Sequence, residues 1–416
     1  VHEYSGKPLT ICLVAGDVSG DQNGGRLARA LLDLKPGLRL IGVGGAALRR
    51  NGVEVAVDST GVSTIGPPDS FQAARLLIRV WRGTRFLIRT ARPNLVVLID
   101  AETLNVMLAR WLRARGIPVV FFFPPQVWFW GRWRLPLVVP LATKVLSAFR
   151  EEAEIYSAAG ANSLWVGHPL RDAVRINEDP AEALRKIGLT PDRPLVVVMP
   201  GSRQQEVRDL CEPMIGAAKL LQQRDPTLQF AIPLAGEELR TELETRVRRS
   251  TLHSIVTYKP ESYAVLSRAR VVLQCSGTAT VEVGLLGIPS VIAYRCRPLY
   301  YFVGRRLMRV KFIGMVNILL DELVQPEFFQ KNVDAVHLAN EVWSLVTNET
   351  RRREIQARLA RLPEALGPMG AMRRAARAVM DLVESSGKES SLQPLAQVGA
   401  TGGAAISTGP RGYRRG

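Results

Sequence analysis

Short apolar runs alternate with longer amphipathic stretches along almost the whole chain. Runs at residues 10–15, 38–43, 95–99, 118–123 and 144–148 are mostly apolar. That pattern, at that length, reads as strands. Between them, residues 24–34, 71–90, 105–115 and 151–159 place apolar positions at helical spacing. After a polar connection over 167–192 the alternation resumes. Strands are predicted at 195–199, 228–233, 254–258, 271–274 and 290–293, with helices at 204–224, 237–249, 263–269 and 279–286. Strand–helix alternation of this kind builds parallel sheets from βαβ units. Two αβ halves of similar size, joined near residue 175, predict two doubly wound domains facing a cleft. Ligands of such folds bind beyond the carboxyl ends of the strands.

Beyond residue 336, two or three charged helices are expected, ending near Glu384. The last stretch is rich in Ser, Gly, Ala and Gln and lacks periodicity, which predicts a disordered tail. The expected organisation is therefore a first domain over 1–172, a second over 173–345, C-terminal helices over 346–384 and a tail over 385–416.

Composition narrows the class. A chain of 416 residues exceeds the roughly 250–300 that one core sustains, in keeping with two domains. Hydrophobic residues make up 47%, which excludes a mainly disordered protein. The longest apolar runs, such as 135–142, are broken by proline. A spanning helix needs roughly 20 apolar residues, so none is expected. No stretch near Val1 combines a basic flank, an apolar core and a small-residue cleavage site, so no secretion leader is expected either. Cys12, Cys211, Cys275, Cys296 and the four histidines show no metal-ligand spacing. The cysteines read as small buried hydrophobes of a reducing compartment. The 55 Lys and Arg outnumber the 38 Asp and Glu, for a formal charge of +17. Nucleic acid, an anionic membrane or a phosphorylated substrate would each suit that balance.

Three loops carry candidate chemistry. The first strand ends in Ala15-Gly16-Asp17-Val18-Ser19-Gly20-Asp21. Glycines between strand and helix permit close approach to a ligand, although this is neither GxGxxG nor a Walker loop. The strand at 195–199 ends in Pro200-Gly201-Ser202-Arg203, and the strand at 271–274 ends in Cys275-Ser276-Gly277-Thr278-Ala279-Thr280-Val281-Glu282. Each would set N–H groups and a hydroxyl or guanidinium at a helix start. Together, at one edge of one sheet, they describe a diphosphate site: Arg203 for charge, Ser276, Gly277, Thr278 and Thr280 for donors, and Glu282 within reach of a ribose diol. The strand at 95–99 ends in Asp100, where a carboxylate facing the cleft can act as a base or cap a helix.

Residues 71–90 are also informative. Arg75, Arg79, Arg82, Arg85 and Arg89 fall on one helical face, with Ile78 and Phe86 among them. A basic stripe with apolar residues suits an anionic lipid surface; it could equally be a solvated basic face. A second basic and aromatic stretch covers 300–312. No helix-turn-helix, finger or RNP signature accompanies either, so no nucleic-acid partner is expected.

The ordered set of motifs resembles the lipid-A-disaccharide synthase family over about residues 9–380. It comprises Gly16-Asp17-Val18-Ser19-Gly20-Asp21, Ile99-Asp100-Ala101, Val127-Trp128-Phe129-Trp130, Val166-Gly167-His168-Pro169-Leu170, Pro200-Gly201-Ser202-Arg203, Ser276 through Glu282, Asn317-Ile318-Leu319 and Pro326-Glu327-Phe328-Phe329-Gln330. The resemblance implies a GT-B-like α/β fold of two Rossmann-like domains, with the sugar nucleotide on the second. It implies an inverting hexosyltransferase that joins UDP-2,3-diacylglucosamine to 2,3-diacylglucosamine 1-phosphate (lipid X), releasing UDP. No cofactor or metal is implied. The protein would sit peripherally at the cytoplasmic face of the membrane. Asp100 would be the base, and Arg203, Ser276, Gly277, Thr278, Thr280 and Glu282 would hold UDP, with Asn317 near the nucleotide. Ser19 and Asp21 would line the acceptor side of the cleft, while Arg75, Ile78, Arg79, Arg82 and Phe86 would face the membrane. The family can exchange C-terminal helices between two subunits, and Gly370-Ala371-Met372-Arg373-Arg374-Ala375-Ala376 stands where its late arginine motif would be.

The chain departs from the family pattern mostly on the acceptor side. Asp17 replaces Glu, Thr103 replaces a carboxylate with Glu102 beside it, Ile65-Gly66-Pro67-Pro68 and Pro124-Pro125-Gln126 are altered, and Val316 replaces Pro. A related UDP-sugar transferase with another lipid acceptor and a UDP-N-acetylglucosamine 2-epimerase-like isomerase are the alternative readings. A non-catalytic basic binding protein is a third.

Overall fold

The computed structural model describes residues 9–59, 70–100, 102–128, 131–295 and 311–391. Residues 65–68, 129–130, most of the stretch at 300–312, Cys296 and residues 392–416 lie outside them.

Among the described residues, the first half forms a seven-stranded sheet with order β3-β2-β1-β4-β5-β6-β7. Its strands are β1 (Thr10–Ala15), β2 (Arg39–Gly44), β3 (Glu54–Asp58), β4 (Leu95–Ile99), β5 (Val119–Phe122), β6 (Lys144–Ser147) and β7 (Ser163–Trp165). All pairings are parallel. The reversal of strand order between β1 and β4 is where such a sheet opens a crevice at its carboxyl edge. The central strands β1, β4 and β5 are buried along their whole length. That burial is why their sequences are unbroken apolar runs rather than alternating ones.

The second half forms a six-stranded parallel sheet with order β10-β9-β8-β11-β12-β13. Its strands are β8 (Leu195–Met199), β9 (Gln229–Pro233), β10 (Ile255–Tyr258), β11 (Ala269–Cys275), β12 (Ser290–Tyr294) and β13 (Glu327–Phe329). β8 and β11 are hydrogen-bonded neighbours, so the two loops that follow them emerge side by side.

Helices cover both faces of the first sheet. Helix α1 (Val18–Leu34) packs on one face with α2 (Ala46–Arg50) nearby; α3 (Ser70–Ala91) and α4 (Glu102–Arg113) pack on the other. The helices Ala335–Thr347 and Glu349–Leu359 bury Leu338, Val342, Leu345, Ile355 and Leu359 in the core of the second half. The last helix, Ala371–Ser391, returns to the first half and packs Ala375, Ala376, Val379 and Val383 against α1 and its sheet. Asp172 accepts from Gly370 N at 2.8 Å and Ala371 N at 3.1 Å, capping that helix. The Arg374 guanidinium donates to the carbonyls of Val166 at 2.6 Å, Pro368 at 2.7 Å and Met369 at 2.6 Å. The helix continues to Ser391, seven residues into the predicted tail. Among the described residues no helix is long and apolar enough to cross a membrane. Cys12, Cys211 and Cys275 are buried free thiols.

Candidate active site

Asp100 closes β4 at its carboxyl end, and its backbone has φ +54°, a left-handed conformation that costs a non-glycine residue free energy. The surroundings hold it there. Asp100 N donates to Phe122 O at 3.2 Å, and Asn105 Nδ2 donates to both the Asp100 and Ile99 carbonyls. Ser19 Oγ donates to Asp100 Oδ2 at 3.3 Å. Ser19 gets there because Gly20 lets α1 approach: a Cβ on Gly20 would stand 3.2 Å from Ile99 O and 3.3 Å from Asp100 Cβ. Asp17 caps the same helix by accepting from Gly20 N at 2.6 Å.

Asp21 is placed differently from its reading as a cleft residue. It is buried, and its carboxylate accepts from Gly45 N at 2.6 Å, Ala47 N at 2.8 Å and Leu48 N at 3.2 Å. It caps α2 from across the fold, a role invisible without knowing that α2 lies beside α1.

In the second half, the loop after β8 turns at Gly201, with φ +136°; a Cβ there would come within 2.4 Å of Glu206 Cβ. Glu206 Oε2 accepts from Ser202 N at 2.9 Å and Arg203 N at 3.2 Å. The Arg203 side chain is 65% exposed and makes an ion pair to Glu206 at 3.4 Å. The helix start is therefore held by its own carboxylate, and Arg203 is the positive group left facing outward. Sequence reasoning missed Glu206; its place three residues after an N-cap, in capping-box position, was the available signal.

Beside it, Gly277 and Thr278 are exposed, and a side chain on Gly277 would meet open space. Thr280 is buried, and its hydroxyl donates to Gly277 O at 2.7 Å, so it shapes the loop rather than presenting a free O–H. Ser276 Oγ donates to Ile313 O at 3.2 Å, tying in a third loop. Glu327 anchors that loop by accepting from Gly314 N at 2.7 Å, Ile313 N at 3.0 Å and Asn317 Nδ2 at 2.8 Å. Asn317 is fully buried. Its amide also donates to Gln325 O at 2.7 Å and accepts from Val324 N at 2.9 Å and Gln325 N at 2.8 Å. Asn317 is thus a staple beneath the loop. Glu327 is the hub of that loop.

Arg26 of α1 is near enough for its charge to act on Glu282, Tyr263 and His168. Glu282 shares a hydrogen bond with the Tyr263 hydroxyl, and burial raises its pKa above the usual carboxylate range. His168 is buried, stacks with Phe149 and Phe123, and accepts from Leu170 N at its Nδ1. Burial, with Arg26 adding to it, pushes its pKa down to about 3. At neutral pH it is an uncharged packing group. Of the membrane-facing set, Arg75, Ile78, Arg79, Arg82 and Phe86 are all exposed, Phe86 at 72%.

A carboxylate at the carboxyl edge of the first sheet, and a guanidinium with exposed loop donors at the carboxyl edge of the second, suit transfer from a nucleotide sugar to a hydroxyl. A family model described as Lipid-A-disaccharide synthetase matches residues 11–380. The chain belongs to that family. A lipid-A-disaccharide synthase of Geobacter sulfurreducens is 35% identical over 373 residues, covering 90% of this chain and 97% of the relative. One from Myxococcus xanthus is 33% identical over 377 residues, covering 90% and 98%. Among solved structures, the UDP-GlcNAc 2-epimerase of Neisseria meningitidis bound to UDP-GlcNAc matches with TM-score 0.58 at 13% identity, covering 90% of this chain and 100% of that one. The calicheamicin glycosyltransferase CalG4 matches with TM-score 0.55 at 14% identity, covering 91% and 99%. At such identities the likeness is one of fold alone: two facing α/β domains of the GT-B kind. Family membership makes the chain a glycosyltransferase of lipid A biosynthesis, and the epimerase likeness carries no activity with it.

Proposed function

We propose that the protein transfers 2,3-diacylglucosamine from its UDP derivative to the 6-hydroxyl of 2,3-diacylglucosamine 1-phosphate. Asp100 removes the hydroxyl proton, the oxygen attacks the anomeric carbon from the face opposite the diphosphate, and the C–O bond to UDP breaks with inversion. Ser19, donating to Oδ2, orients the carboxylate, and Asn105 fixes the backbone that carries it. Arg203 and the donors of Ser276, Gly277 and Thr278 hold the diphosphate and offset the charge that builds on the leaving group. Glu282 takes the ribose, exchanging its bond to Tyr263 for the sugar hydroxyls.

The observations that support the reading are a carboxylate held in a left-handed turn at the carboxyl edge of the first sheet, and two adjacent loops of phosphate-binding type at the carboxyl edge of the second. An isomerase would need further acid–base groups, and His168, neutral and enclosed, does not supply one. The basic and apolar face of α3 is read as the membrane-facing side, at the cytoplasmic surface of the membrane. Exchange of C-terminal helices between two copies would reuse the face that Ala371–Ser391 covers within one chain.

Asp100→Asn tests the assignment. UDP affinity should persist while transfer falls at least 10²- to 10⁴-fold, the usual contribution of a positioned base. Retained turnover would remove Asp100 from that role.

A further inference from the structure

The C-terminal ends of α3 and α4 lie together at the amino edge of the first sheet, on the side away from Asp100. A cavity of 410 Å³ opens there, with Ile88, Pro93 and Ile117 as its apolar lining, Trp111 as one wall, and Arg89, Arg92 and Arg115 around it. Three guanidinium groups crowd the Trp111 indole: Arg115 at 4.1 Å from the ring centre, Arg85 at 5.1 Å and Arg89 at 5.6 Å. They therefore lie within about 10 Å of one another, roughly a Debye length.

Among the described residues none of Arg85, Arg89, Arg92 and Arg115 forms an ion pair. The buried Nε of Arg85 has no hydrogen-bond partner. Helices α3 and α4 hold one carboxylate between them, Glu102, at the far end of α4. The two helix C-termini contribute about half a negative charge each, so about three positive charges remain. Arg92 adopts φ +47°, a conformation that favours glycine, and lines the cavity with Arg89 and Arg115.

We propose that this cavity binds the phosphate of an anionic phospholipid headgroup. Stacked, planar guanidinium groups present forked donors that match phosphate oxygens. The choice of a lipid over a soluble anion comes from the face that leads to the cavity. Ile78, Arg82, Phe86 and Arg89 follow one another at helical spacing along α3, with Ile78 56% and Phe86 72% exposed. A soluble phosphate has no use for an exposed phenylalanine beside its site, whereas an acyl–headgroup boundary does. The proposal rests on the membrane-facing reading of α3 and adds to it a discrete site.

The test is co-sedimentation of the full chain with phosphatidylcholine vesicles containing 30% phosphatidylglycerol, comparing two charge-matched pairs. Loss of a surface cation costs roughly fivefold near an anionic membrane, so Arg79→Gln with Arg82→Gln should weaken binding about 20- to 30-fold. Arg89→Gln with Arg115→Gln should weaken it at least tenfold more, because charge-assisted bonds to a phosphate are lost. Equal losses would overturn the cavity and leave the membrane reading of α3 standing; no loss in either pair would overturn both. Arg89→Lys with Arg115→Lys keeps the charge and removes stacking and forked bonding. It should still lose several-fold, and unchanged affinity would overturn the proposal even if the glutamine pair fails to fold. Replacing chloride with inorganic phosphate at constant ionic strength should leave vesicle binding intact. Displacement by inorganic phosphate would reassign the cavity to a free anion.

Discussion

Replacing Asn317 by Ala separates two roles that a nucleotide-site residue could have. In the structure its amide makes four hydrogen bonds within a fully buried setting: two donated, to Gln325 O and Glu327, and two accepted, from Val324 N and Gln325 N. The alanine variant strands two backbone N–H groups and a carbonyl and takes one partner from a carboxylate. Each unsatisfied buried group costs about 1–3 kcal/mol, and relaxation recovers part of the total, so a net loss of about 3–5 kcal/mol is expected. For a domain of this size that lowers the melting temperature by roughly 6–20 °C. The hub residue Glu327 keeps its bonds to Ile313 N and Gly314 N, so the loop that accepts from Ser276 survives in folded molecules. UDP affinity, measured by calorimetry well below the transition, should change less than about fivefold. A normal melting temperature with UDP binding weakened 100-fold would refute the staple and make Asn317 a nucleotide ligand.

Two other substitutions follow from the same geometry. Arg203→Ala removes the outward-facing guanidinium of the donor loop and should weaken UDP binding tenfold or more by calorimetry, since a charge-assisted bond is worth about 1.5–3 kcal/mol; unchanged affinity would count against the donor assignment. His168 titrates near 3 when folded and near 6.5 when unfolded, so below about pH 6.5 the unfolded chain binds a proton that the folded one does not. Stability is therefore full above pH 6.5 and falls as pH drops towards 3, with a slope approaching about 1.4 kcal/mol per pH unit. The urea midpoint should fall from pH 7 to pH 5 in the wild type and fall less in His168→Gln; identical slopes would assign the effect to other groups.

The middle of each sheet was legible because strands buried on both faces leave continuous apolar runs. β1, β4 and β8 lie at the predicted residues. The strands β3, β7 and β13 were not anticipated. They sit at or near sheet edges, run three to five residues and are half-exposed, so no apolar run marks them. The start of α1 was expected at Gly24 and stands at Val18; glycine has low helix propensity, and Gly20, Gly24 and Gly25 leave the first turns unmarked. They are close-packing positions: a Cβ on Gly25 would come within 2.8 Å of Ala47 O. The positions of Asp100 and Arg203, just beyond strand ends, were legible in the sequence. A role was illegible where a residue works through a partner distant in sequence. Asp21 reaches α2, Glu327 gathers a loop more than ten residues upstream, and Arg374 returns the last helix to the first domain. Periodicity reports which face of an element is buried, not which other element covers it.

The central claim is tested most directly by incubating the protein with UDP-2,3-diacylglucosamine, with and without 2,3-diacylglucosamine 1-phosphate, in detergent micelles and following products by mass spectrometry. Tetraacyl disaccharide phosphate and UDP should appear in equal amounts, and only when both substrates are present. Turnover of the UDP-sugar alone, or its intact binding without disaccharide, would contradict the account.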